Sequence, residues 1–478
     1  MIKKIQDHLI INKSKYLLGI LLGFSLLARI WYSAHDSLIW WDEAVYIGMG
    51  KYLATFGSIG FWEFFRPPLL PMFYGILYKL HLPLIFFGKS LVVLSSIGLI
   101  YFVYLLAEKI KEGAGIFAGL FLSITPVFFY FSKVPLSDIT SAFIATLALY
   151  FFLNRKDFIA GIFIGIAFLT RFPQGLILVP ILISLLYREC GEGKFYFKRV
   201  FYLGLKLVMG FLILVVPYLI SNYFLYGNFI KPLQYGNQIV SVYNFIYFKD
   251  FWYYVRELWA TAPFLFFSIF SLIIIFIQFL KSSKKDVPLI TIFITTLIFI
   301  TYFFLQPHKE LRYSIVFIPY ISVLSGVGIL WLLRKASLKN AFLVIFMIGV
   351  VFFLYKNKTY LTYREVDQYK EFYSFFDNKS GVYISTTPVP ITSSNILIPE
   401  LFESYNAEKS FNDVLKIRFN QIDGVIISSC DIFCPAKAIG GSCDKEIDDI
   451  YKKLKENFKQ VYNQKIGVCD ASVFEKIK

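Results

Sequence analysis

Long apolar runs separated by short polar segments dominate the first three quarters of the chain. A run of about 18 or more apolar residues is long enough to cross the hydrocarbon core of a bilayer as a helix. The fifth and sixth of these runs are short and bend around LTRFPQG. No signal-peptide cleavage pattern precedes the first run, so we expect it to be retained as a span. The pattern predicts about eleven membrane-spanning helices, near residues 16–34, 85–107, 114–132, 136–153, 157–170, 173–187, 200–224, 261–280, 288–305, 313–333 and 339–355.

One further apolar segment, RPPLLPMFYGILYKLHL at residues 66–82, differs from these runs. It is too short and too rich in proline to span a bilayer as one regular helix, because its three prolines interrupt helical hydrogen bonding. The segment therefore predicts a re-entrant or interfacial helix.

The last part of the chain, residues 356–478, is more polar and changes its periodicity. Alternation of helical and strand-like patterns is typical of a small α/β domain. We therefore divide the chain into a transmembrane domain, 1–355, and an α/β domain, 356–478. The predicted elements of the second domain are a helix in VDQYKEFYSFFDN, strands in GVYIST and DGVIISS, a helix in KEIDDIYKKLKENF, and two strands in KQVYNQKIGVCDASVFEKI.

The composition of the 478 residues supports the membrane interpretation. The chain is 57% hydrophobic and 17% charged, with a mean hydropathy of +0.62, whereas about a quarter of an average soluble protein is charged. The net charge of +16 would favour a nucleic-acid partner in a soluble protein. Here no basic stretch interleaves with a surface on which bases could stack, so we predict no nucleic-acid partner.

The distribution of the basic residues orients the predicted spans. With the N-terminus in the cytoplasm, the short inner loops carry more lysines and arginines than the longer outer loops, as the positive-inside rule requires. The chain is thus predicted to be an integral plasma-membrane protein with a cytoplasmic N-terminus and an extracytoplasmic α/β domain. This topology places WWDEAVY, KVPLSD, LTRFPQ and QPHKELRY on the outer face.

Four of the five cysteines, Cys430, Cys434, Cys443 and Cys469, lie in the last fifty residues, whereas Cys190 is alone in a basic loop. An even number of cysteines in one polar segment favours disulfides and an oxidising compartment. Zinc is the weaker alternative, because the spacing is not a standard zinc pattern and no histidine is near.

Acidic residues in two outer loops are the first candidates for chemistry. Asp42 and Glu43 follow two tryptophans at the edge of the first span, and Asp138 precedes the fourth. Carboxylates at membrane depth are costly and usually functional, although Asp138 could simply cap its helix. Two acidic loops that meet could deprotonate a hydroxyl group or hold a divalent cation such as Mg²⁺ or Mn²⁺ between Asp42 and Asp138.

Cationic residues lie in other outer loops: Arg66 before two prolines, Arg171 in LTRFPQG, and His308, Lys309 and Arg312 in QPHKELRY. A single arginine at the end of a span could be a snorkelling anchor. The concentration of ionisable groups in QPHKELRY is harder to explain by packing. Guanidinium and ammonium groups at headgroup height suit a lipid-linked phosphate.

In their order along the chain, these motifs resemble the membrane-embedded glycosyltransferases of the GT-C fold. The resemblance covers roughly residues 16–355 and is strongest to the dolichyl-phosphate-mannose–protein mannosyltransferases (family 39) and the aminoarabinose–lipid A transferases. HKELRY also resembles a motif of the dolichol-dependent mannosyltransferases that build glycolipid anchors. The motifs that carry the resemblance are WWDEAVY, FRPPLLPMFYGILYKL, LSDITSAF, FLTRFPQGLIL and HKELRY.

The resemblance implies a role for each of these loops. Asp42 would be the catalytic carboxylate with Glu43 beside it, and Asp138 would be the second-loop acid, a metal ligand in some relatives. Arg66 would contact the phosphate of the donor. The lipid-phosphate pocket would be bordered by Arg171, His308, Lys309 and Arg312. The chain lacks the MIR-type β-trefoil insertion of eukaryotic protein mannosyltransferases, which leaves a protein acceptor open.

We therefore expect an inverting glycosyltransferase that takes a sugar from a polyprenyl-phosphate donor at the outer face of the membrane. The acceptor hydroxyl would belong to a lipid, a glycan or a protein. The alternative is a transporter or flippase of lipid-linked precursors, which should place polar groups near mid-membrane in broken helices. The one conspicuous mid-span charge is Lys206, which favours the enzyme.

Overall fold

The computed structural model describes residues 2–36, 38–191, 194–195, 197–242, 247–280, 286–335, 369–402, 411–432, 443–467 and 469–477. The chain divides into two compact units. Unit 1 contains Met1–His35, Phe65–Pro67 and Lys89–Arg364, and unit 2 contains Asp36–Phe64, Pro68–Gly88 and Glu365–Lys478. The last predicted span, 339–355, lies outside the described residues.

Helices make up most of the described chain. In chain order they are α1 Ile2–Ala34, α2 Trp41–Ala54, α3 Leu69–Lys79, α4 Leu84–Ile110, α5 Ala114–Ile124, α6 Pro126–Phe131, α7 Ser137–Leu153, α8 Asp157–Thr170, α9 Leu178–Glu189, α10 Phe197–Tyr226, α11 Lys231–Val242, α12 Tyr253–Thr261, α13 Ser268–Leu280, α14 Val287–Leu305, α15 Ile318–Lys335, α16 Lys370–Ser374, α17 Phe411–Arg418 and α18 Asp444–Asn457. The strands are β1 Cys190–Gly191, β2 Lys194–Phe195, β3 Ser380–Ser385, β4 Asn395–Leu397, β5 Gly424–Ser428, β6 Phe458–Ile466 and β7 Cys469–Lys476.

The first ten predicted spans all coincide with helices or broken helices. Within the described ranges, five helices are long and apolar enough to cross a membrane, or six if a pair bent by 109° between α12 and α13 counts as one span. Shorter apolar helices cover the other predicted spans. Pro126 lacks an amide N–H and divides the run 114–132 into α5 and α6. The five long helices are Ser14–Ala34, Leu84–Ile110, Phe172–Glu189, Phe197–Tyr226 and Val287–Leu305.

Close helix packing in unit 1 depends on small residues. A Cβ at Gly161 of α8 would lie 2.0 Å from the carbonyl oxygen of Leu207 in α10, and a Cβ at Gly210 would lie 2.2 Å from that of Phe158. Glycines allow such contact between helices in an apolar environment. Lys206 also lies in α10, with its Nζ atom 4.3 Å from the centre of the Tyr202 ring.

Unit 2 contains a five-stranded mixed sheet in the order β4-β3-β5-β7-β6. Strand β3 is parallel to β4 and β5, and β7 is antiparallel to β5 and β6. Every residue of β5 is buried, as its continuous apolar sequence indicates. The predicted class, a polytopic helical membrane protein with a small C-terminal α/β domain, is confirmed. The predicted helix in VDQYKEFYSFFDN lies partly outside the described residues, and its described part contains the short helix α16.

A disulfide joins Cys430 to Cys469, with 5.4 Å between the two Cα atoms. Cys443 is also disulfide-bonded, while Cys434 lies outside the described residues. The bridge from Cys430 to Cys469 spans 39 positions, and closing such a loop in the unfolded chain stabilises the fold by about 4 kcal/mol in the chain-entropy model. The disulfide prediction is therefore confirmed for this pair.

Candidate active site

The first acidic motif opens α2 in unit 2. Trp40 precedes the helix, so Asp42 and Glu43 lie in its first turn, where the helix dipole favours negative charge. Glu43 is fully buried, and its Oε2 atom accepts a hydrogen bond from the backbone N–H of Trp40 at 3.3 Å. Asp42 is half-buried. The two acids therefore differ: Glu43 closes the start of the helix, and Asp42 is the more accessible carboxylate.

Glu43 affects the pKa of a buried tyrosine, Tyr74. The pKa of Tyr74, in α3 of the same unit, is raised well above its usual value, first by burial and then by electrostatic interaction with Glu43 and Tyr46. Both effects favour the protonated, neutral form of the Tyr74 hydroxyl.

The second acidic motif begins α7 in unit 1. Leu136 is the N-cap of this helix and Asp138 lies inside its first turn, so the capping alternative for Asp138 is wrong. The Asp138 carboxylate is instead 3.0 Å from Nη1 of Arg171, which follows the last residue of α8. The same Nη1 donates to the hydroxyl of Ser137 at 3.4 Å. The structure thus brings the predicted Asp138 and Arg171 together as an ion pair.

Tyr313 connects this ion pair to the HKELRY motif. The guanidinium carbon of Arg171 lies 5.1 Å from the centre of the Tyr313 ring, and that of Arg312 lies 5.5 Å from it. Cations are attracted to the faces of aromatic rings, so one tyrosine ring holds two guanidinium groups near one another. We call Asp138, Arg171, Glu310, Arg312 and Tyr313 the arginine cluster.

Glu310 is the hydrogen-bond acceptor at the centre of the arginine cluster. Its carboxylate accepts from the Tyr313 hydroxyl at 2.7 Å and from Nη2 of Arg312 at 2.9 Å. Nε2 of His308 is 3.4 Å away. Burial alone would raise the pKa of Glu310, but the charge of Arg312 and the hydrogen bonds from His308, Arg312 and Tyr313 outweigh it and lower the pKa to about 2.

Lys309 has a different environment from that of its neighbours. Its side chain is almost fully buried, and its ammonium group donates to the backbone carbonyls of Lys249, at 3.1 Å, and Gln306. The backbone N–H of Lys309 also donates to the carbonyl of Tyr247 at 3.0 Å. Burial lowers the pKa of Lys309. In this structure Lys309 joins the 247–250 segment to the HKELRY motif, and its predicted contact with a donor phosphate stays a prediction.

Arg66 lies in the short segment Phe65–Pro67, which groups with unit 1. Its side chain is half-buried. The preceding Phe65 ring lies 5.6 Å from that of Tyr235 in α11. The predicted role of Arg66 toward a donor phosphate is not tested by these contacts.

Sequence reasoning missed several polar residues. Glu310 was noted only as one of the charges of its motif, and Tyr313 not at all, although an aromatic residue directly after Arg312 was an available signal. Two buried cations were also missed. Arg29 in α1 donates to the backbone carbonyls of Ser25 and Ser123 at 3.3 and 3.2 Å, and a charge inside an apolar span is such a signal. Lys133 lies over two tyrosine rings.

The sequence predicts a divalent cation between Asp42 and Asp138, and the surroundings of Asp138 bear on that prediction. In the part of the chain that the structure describes, no three or more His, Cys, Asp or Glu side chains group closely enough to hold an ion. Asp138, one of the two predicted ligands, is neutralised by Arg171 at 3.0 Å, and a guanidinium at that distance disfavours a divalent cation on the same carboxylate. Asp138 as observed is therefore engaged by Arg171, and its role as a metal ligand stays a prediction.

Comparison with known proteins agrees with the fold predicted from the motifs. The family model described as dolichyl-phosphate-mannose-protein mannosyltransferase matches residues 66–221. No curated protein sequence matches the chain.

Solved structures extend the likeness to nearly the whole chain. ArnT from Cupriavidus metallidurans, solved bound to undecaprenyl phosphate, aligns with a TM-score of 0.63 and 14% identity over 96% of this chain and 97% of that one. The archaeal oligosaccharyltransferase AglB from Archaeoglobus fulgidus, solved with an inhibitory peptide and a dolichol-phosphate, aligns with a TM-score of 0.64 and 13% identity over 97% of this chain and 75% of that one. The chain therefore has the GT-C fold of these glycosyltransferases.

Proposed function

We propose that the protein is a glycosyltransferase that moves a sugar, hexose or pentose, from a polyprenyl-phosphate donor to a hydroxyl acceptor on the outer face of the membrane. The observation that carries the proposal is the arginine cluster, in which Arg171 and Arg312 flank the ring of Tyr313. The fold supports it, because ArnT and AglB were solved with undecaprenyl phosphate and dolichol-phosphate respectively. The matching family model is also named for a dolichyl-phosphate sugar.

The arginine cluster suits the leaving group of such a reaction. A guanidinium carries five N–H donors in a planar fork, more than one carboxylate can engage. Asp138 and Glu310 orient the two guanidinium groups, and a pair of oriented guanidinium groups suits the oxygens of a lipid-linked phosphate. We assign the phosphate contacts to Arg171, Arg312 and Arg66, with His308 bordering the same pocket.

In the proposed reaction, the carboxylate of Asp42 takes the proton of the acceptor hydroxyl. The acceptor oxygen then attacks the anomeric carbon of the sugar, and the bond from that carbon to the phosphate oxygen breaks. The electron pair of this bond stays on the phosphate, which leaves as polyprenyl phosphate. Attack from the face opposite the leaving group inverts the anomeric centre. The accessibility of Asp42 compared with the buried Glu43 supports Asp42 as the base.

The scheme balances atoms and electrons without a divalent cation, and Arg66, Arg171 and Arg312 supply N–H donors to the phosphate. The proposed role of Asp138 is to hold Arg171 in place. A metal bound by Asp42 and Asp138 stays a prediction, and a chelator tests it.

The experiment is sugar transfer by the full-length protein in liposomes, from a panel of radiolabelled polyprenyl-phosphate sugars to lipid, glycan and peptide acceptors, with and without chelator. We expect transfer from at least one donor, and inverted stereochemistry in its product. Asp42→Asn should lower the rate of transfer at least about 100-fold while polyprenyl phosphate still binds. Asp449→Asn, which changes an exposed carboxylate of α18, is the matched control. If the wild type is active and Asp42→Asn transfers sugar at the same rate, Asp42 is not the base.

A further inference from the structure

The helix that carries Asp42 shares one hydrophobic core with the C-terminal sheet. Val45 and Met49, both fully buried in α2, belong to the same cluster as Ile391, Ile396 and Ile426 of the C-terminal segment. A buried aliphatic side chain contributes roughly 1.5–3 kcal/mol. The α2 helix is therefore packed on the sheet as part of the same folded unit, across more than 340 positions of sequence.

Backbone hydrogen bonds reinforce this packing. The N–H of Gly60 donates to the carbonyl of Ile396 at 2.8 Å, and the N–H of Ile398 donates to the carbonyl of Gly60 at 2.8 Å. The loop after α2 thus continues the sheet beside β4. Gly60 has φ +97°, and a Cβ there would lie 2.2 Å from the carbonyl oxygen of Gly48 in α2. Only glycine allows this close approach of the loop to both the helix and the sheet.

A single buried lysine makes the polar connection. The Nζ atom of Lys51, near the end of α2, donates to the carbonyls of Ile391 at 2.7 Å, Ser394 at 2.8 Å and Thr392 at 3.3 Å. These carbonyls lie at the end of the 3₁₀ turn Val389–Thr392, where the backbone presents partial negative charge. Lys51 is 4% exposed. An ammonium group has three N–H donors, and here three carbonyls receive them.

We propose that the C-terminal α/β segment is a positioning element for the base of the reaction, and that Lys51 is the positioning residue that fixes α2 to it. This inference rests on the proposed function, because it takes Asp42 to be the base. Lys51 follows Asp42 by nine residues on the same helix, which is about 13 Å along the axis. Lys51 therefore acts on the reaction through the placement of α2, without contact with the substrate.

General base catalysis tolerates little displacement of the base. A general base must lie within hydrogen-bond reach of the proton it removes, and a misplacement of about 1 Å can reduce the rate about 100-fold. A 14-residue helix moves nearly as a rigid rod, so a change at Lys51 shifts or tilts its first turn. The contacts with the donor phosphate, which we assign to arginines of unit 1, involve no residue of that turn.

The test compares Lys51→Met with wild type in the full-length protein in liposomes. Methionine keeps an unbranched apolar side chain and removes all three donors. We expect kcat to fall about 10- to 100-fold, while the KM for the donor and the Kd for polyprenyl phosphate stay within about twofold of wild type. Hydrogen exchange at the amides of residues 43–54 should become faster. Lys51→Arg, which keeps a cation, should recover part of both kcat and the exchange protection.

Lys79→Met is the matched control. Lys79 is an exposed lysine of α3 in the same unit, and its loss should leave kcat and exchange unchanged. If Lys51→Met does not yield folded protein, Lys51→Gln, which keeps two N–H donors, carries the same comparison. Faster exchange with wild-type kcat would overturn the positioning role. An equal loss of donor binding would overturn it too, because Lys51 would then act on the donor or on the whole fold.

The outcomes separate this inference from the proposed function. If the wild-type protein transfers no sugar from any donor, the proposed function fails. The exchange measurement in Lys51→Met then still shows whether Lys51 fixes α2 to the sheet. If the wild type is active and Lys51→Met matches it in kcat, only the positioning inference fails.

Discussion

Nη1 of Arg171 lies 3.0 Å from Oδ1 of Asp138, with 2% of the Asp138 side chain and 16% of the Arg171 side chain exposed. The pair joins the end of α8 to the first turn of α7. Two residues 33 positions apart, each predicted from the sequence as a site residue of a different loop, thus form one ion pair. Removing one partner of a buried pair leaves an uncompensated charge, whereas removing both is often tolerated. This difference separates the structural role of the pair from the proposed binding role of Arg171.

We predict that Arg171→Met lowers the free energy of unfolding by about 3 kcal/mol and weakens the binding of polyprenyl phosphate. The double variant Asp138→Asn with Arg171→Met should recover part of the stability and none of the binding. Thermal unfolding and a titration with polyprenyl phosphate measure the two quantities.

Arg256→Met provides the control for this prediction. Arg256 pairs with Asp250, but both side chains are more than half exposed, and such pairs contribute little to stability. Its loss should change stability little. Full recovery of binding in the double variant would show that Arg171 only compensates Asp138 and does not contact the phosphate.

Tyr313 allows its ring and its hydroxyl to be tested separately. Tyr313→Phe removes the hydroxyl that donates to Glu310 at 2.7 Å and should reduce stability by about 1–2 kcal/mol, with little effect on binding. Tyr313→Leu also removes the ring beside Arg171 and Arg312. We expect it to weaken polyprenyl phosphate binding about tenfold more than Tyr313→Phe does, because two cation–π contacts are lost, as measured by titration. Equal binding by the two variants would mean that the ring does not organise the arginines.

Features that depend on interactions between residues close in sequence could be predicted from the sequence. The spacing of apolar runs predicted the helices, because a helix buries its own backbone polar groups and needs only local information. The strands GVYIST and DGVIISS were also predicted correctly from local alternation and turn residues. Asp138 and Arg171 were identified as polar residues at the ends of spans, which is again a local signal.

Side-chain partners that come from distant parts of the chain could not be predicted. Lys309 carries the same charge in sequence whether it faces a phosphate or, as observed, the carbonyl of Lys249, 60 positions away. Nothing near Lys51 indicates that its acceptors lie 340 or more positions later. Adjacent Asp42 and Glu43 are likewise equivalent in sequence, and the start of α2 distinguishes them.

The pH dependence of stability provides a test of Glu310. Its pKa is about 2 in the folded protein, whereas the ordinary pKa of a glutamate side chain is 4.5, so the folded state favours the ionised form. The stabilisation is fully present above about pH 4.5 and is lost as the pH falls from there toward 2. We expect the difference in Tm between wild type and Glu310→Gln to shrink over that window, as measured by thermal unfolding in detergent. A constant difference would show that the carboxylate charge does not stabilise the fold.

The different environments of Asp42 and Glu43 predict different consequences of neutralising them. Asp42→Asn should lower the transfer rate by about 10²- to 10⁴-fold, the range of general base catalysis, and should lower Tm only slightly, because one charge is lost from the first turn of α2. Glu43→Gln keeps an oxygen that can accept from the N–H of Trp40 but removes the negative charge at the start of α2. Losing the interaction of that charge with the helix dipole costs about 0.3–1 kcal/mol of stability. Glu43→Gln should therefore lower Tm slightly and retain most of the activity. Initial rates of transfer and thermal unfolding of the same preparations make the comparison. A loss of transfer in Glu43→Gln as large as in Asp42→Asn, at wild-type Tm, would mean that the buried acid takes part in proton removal.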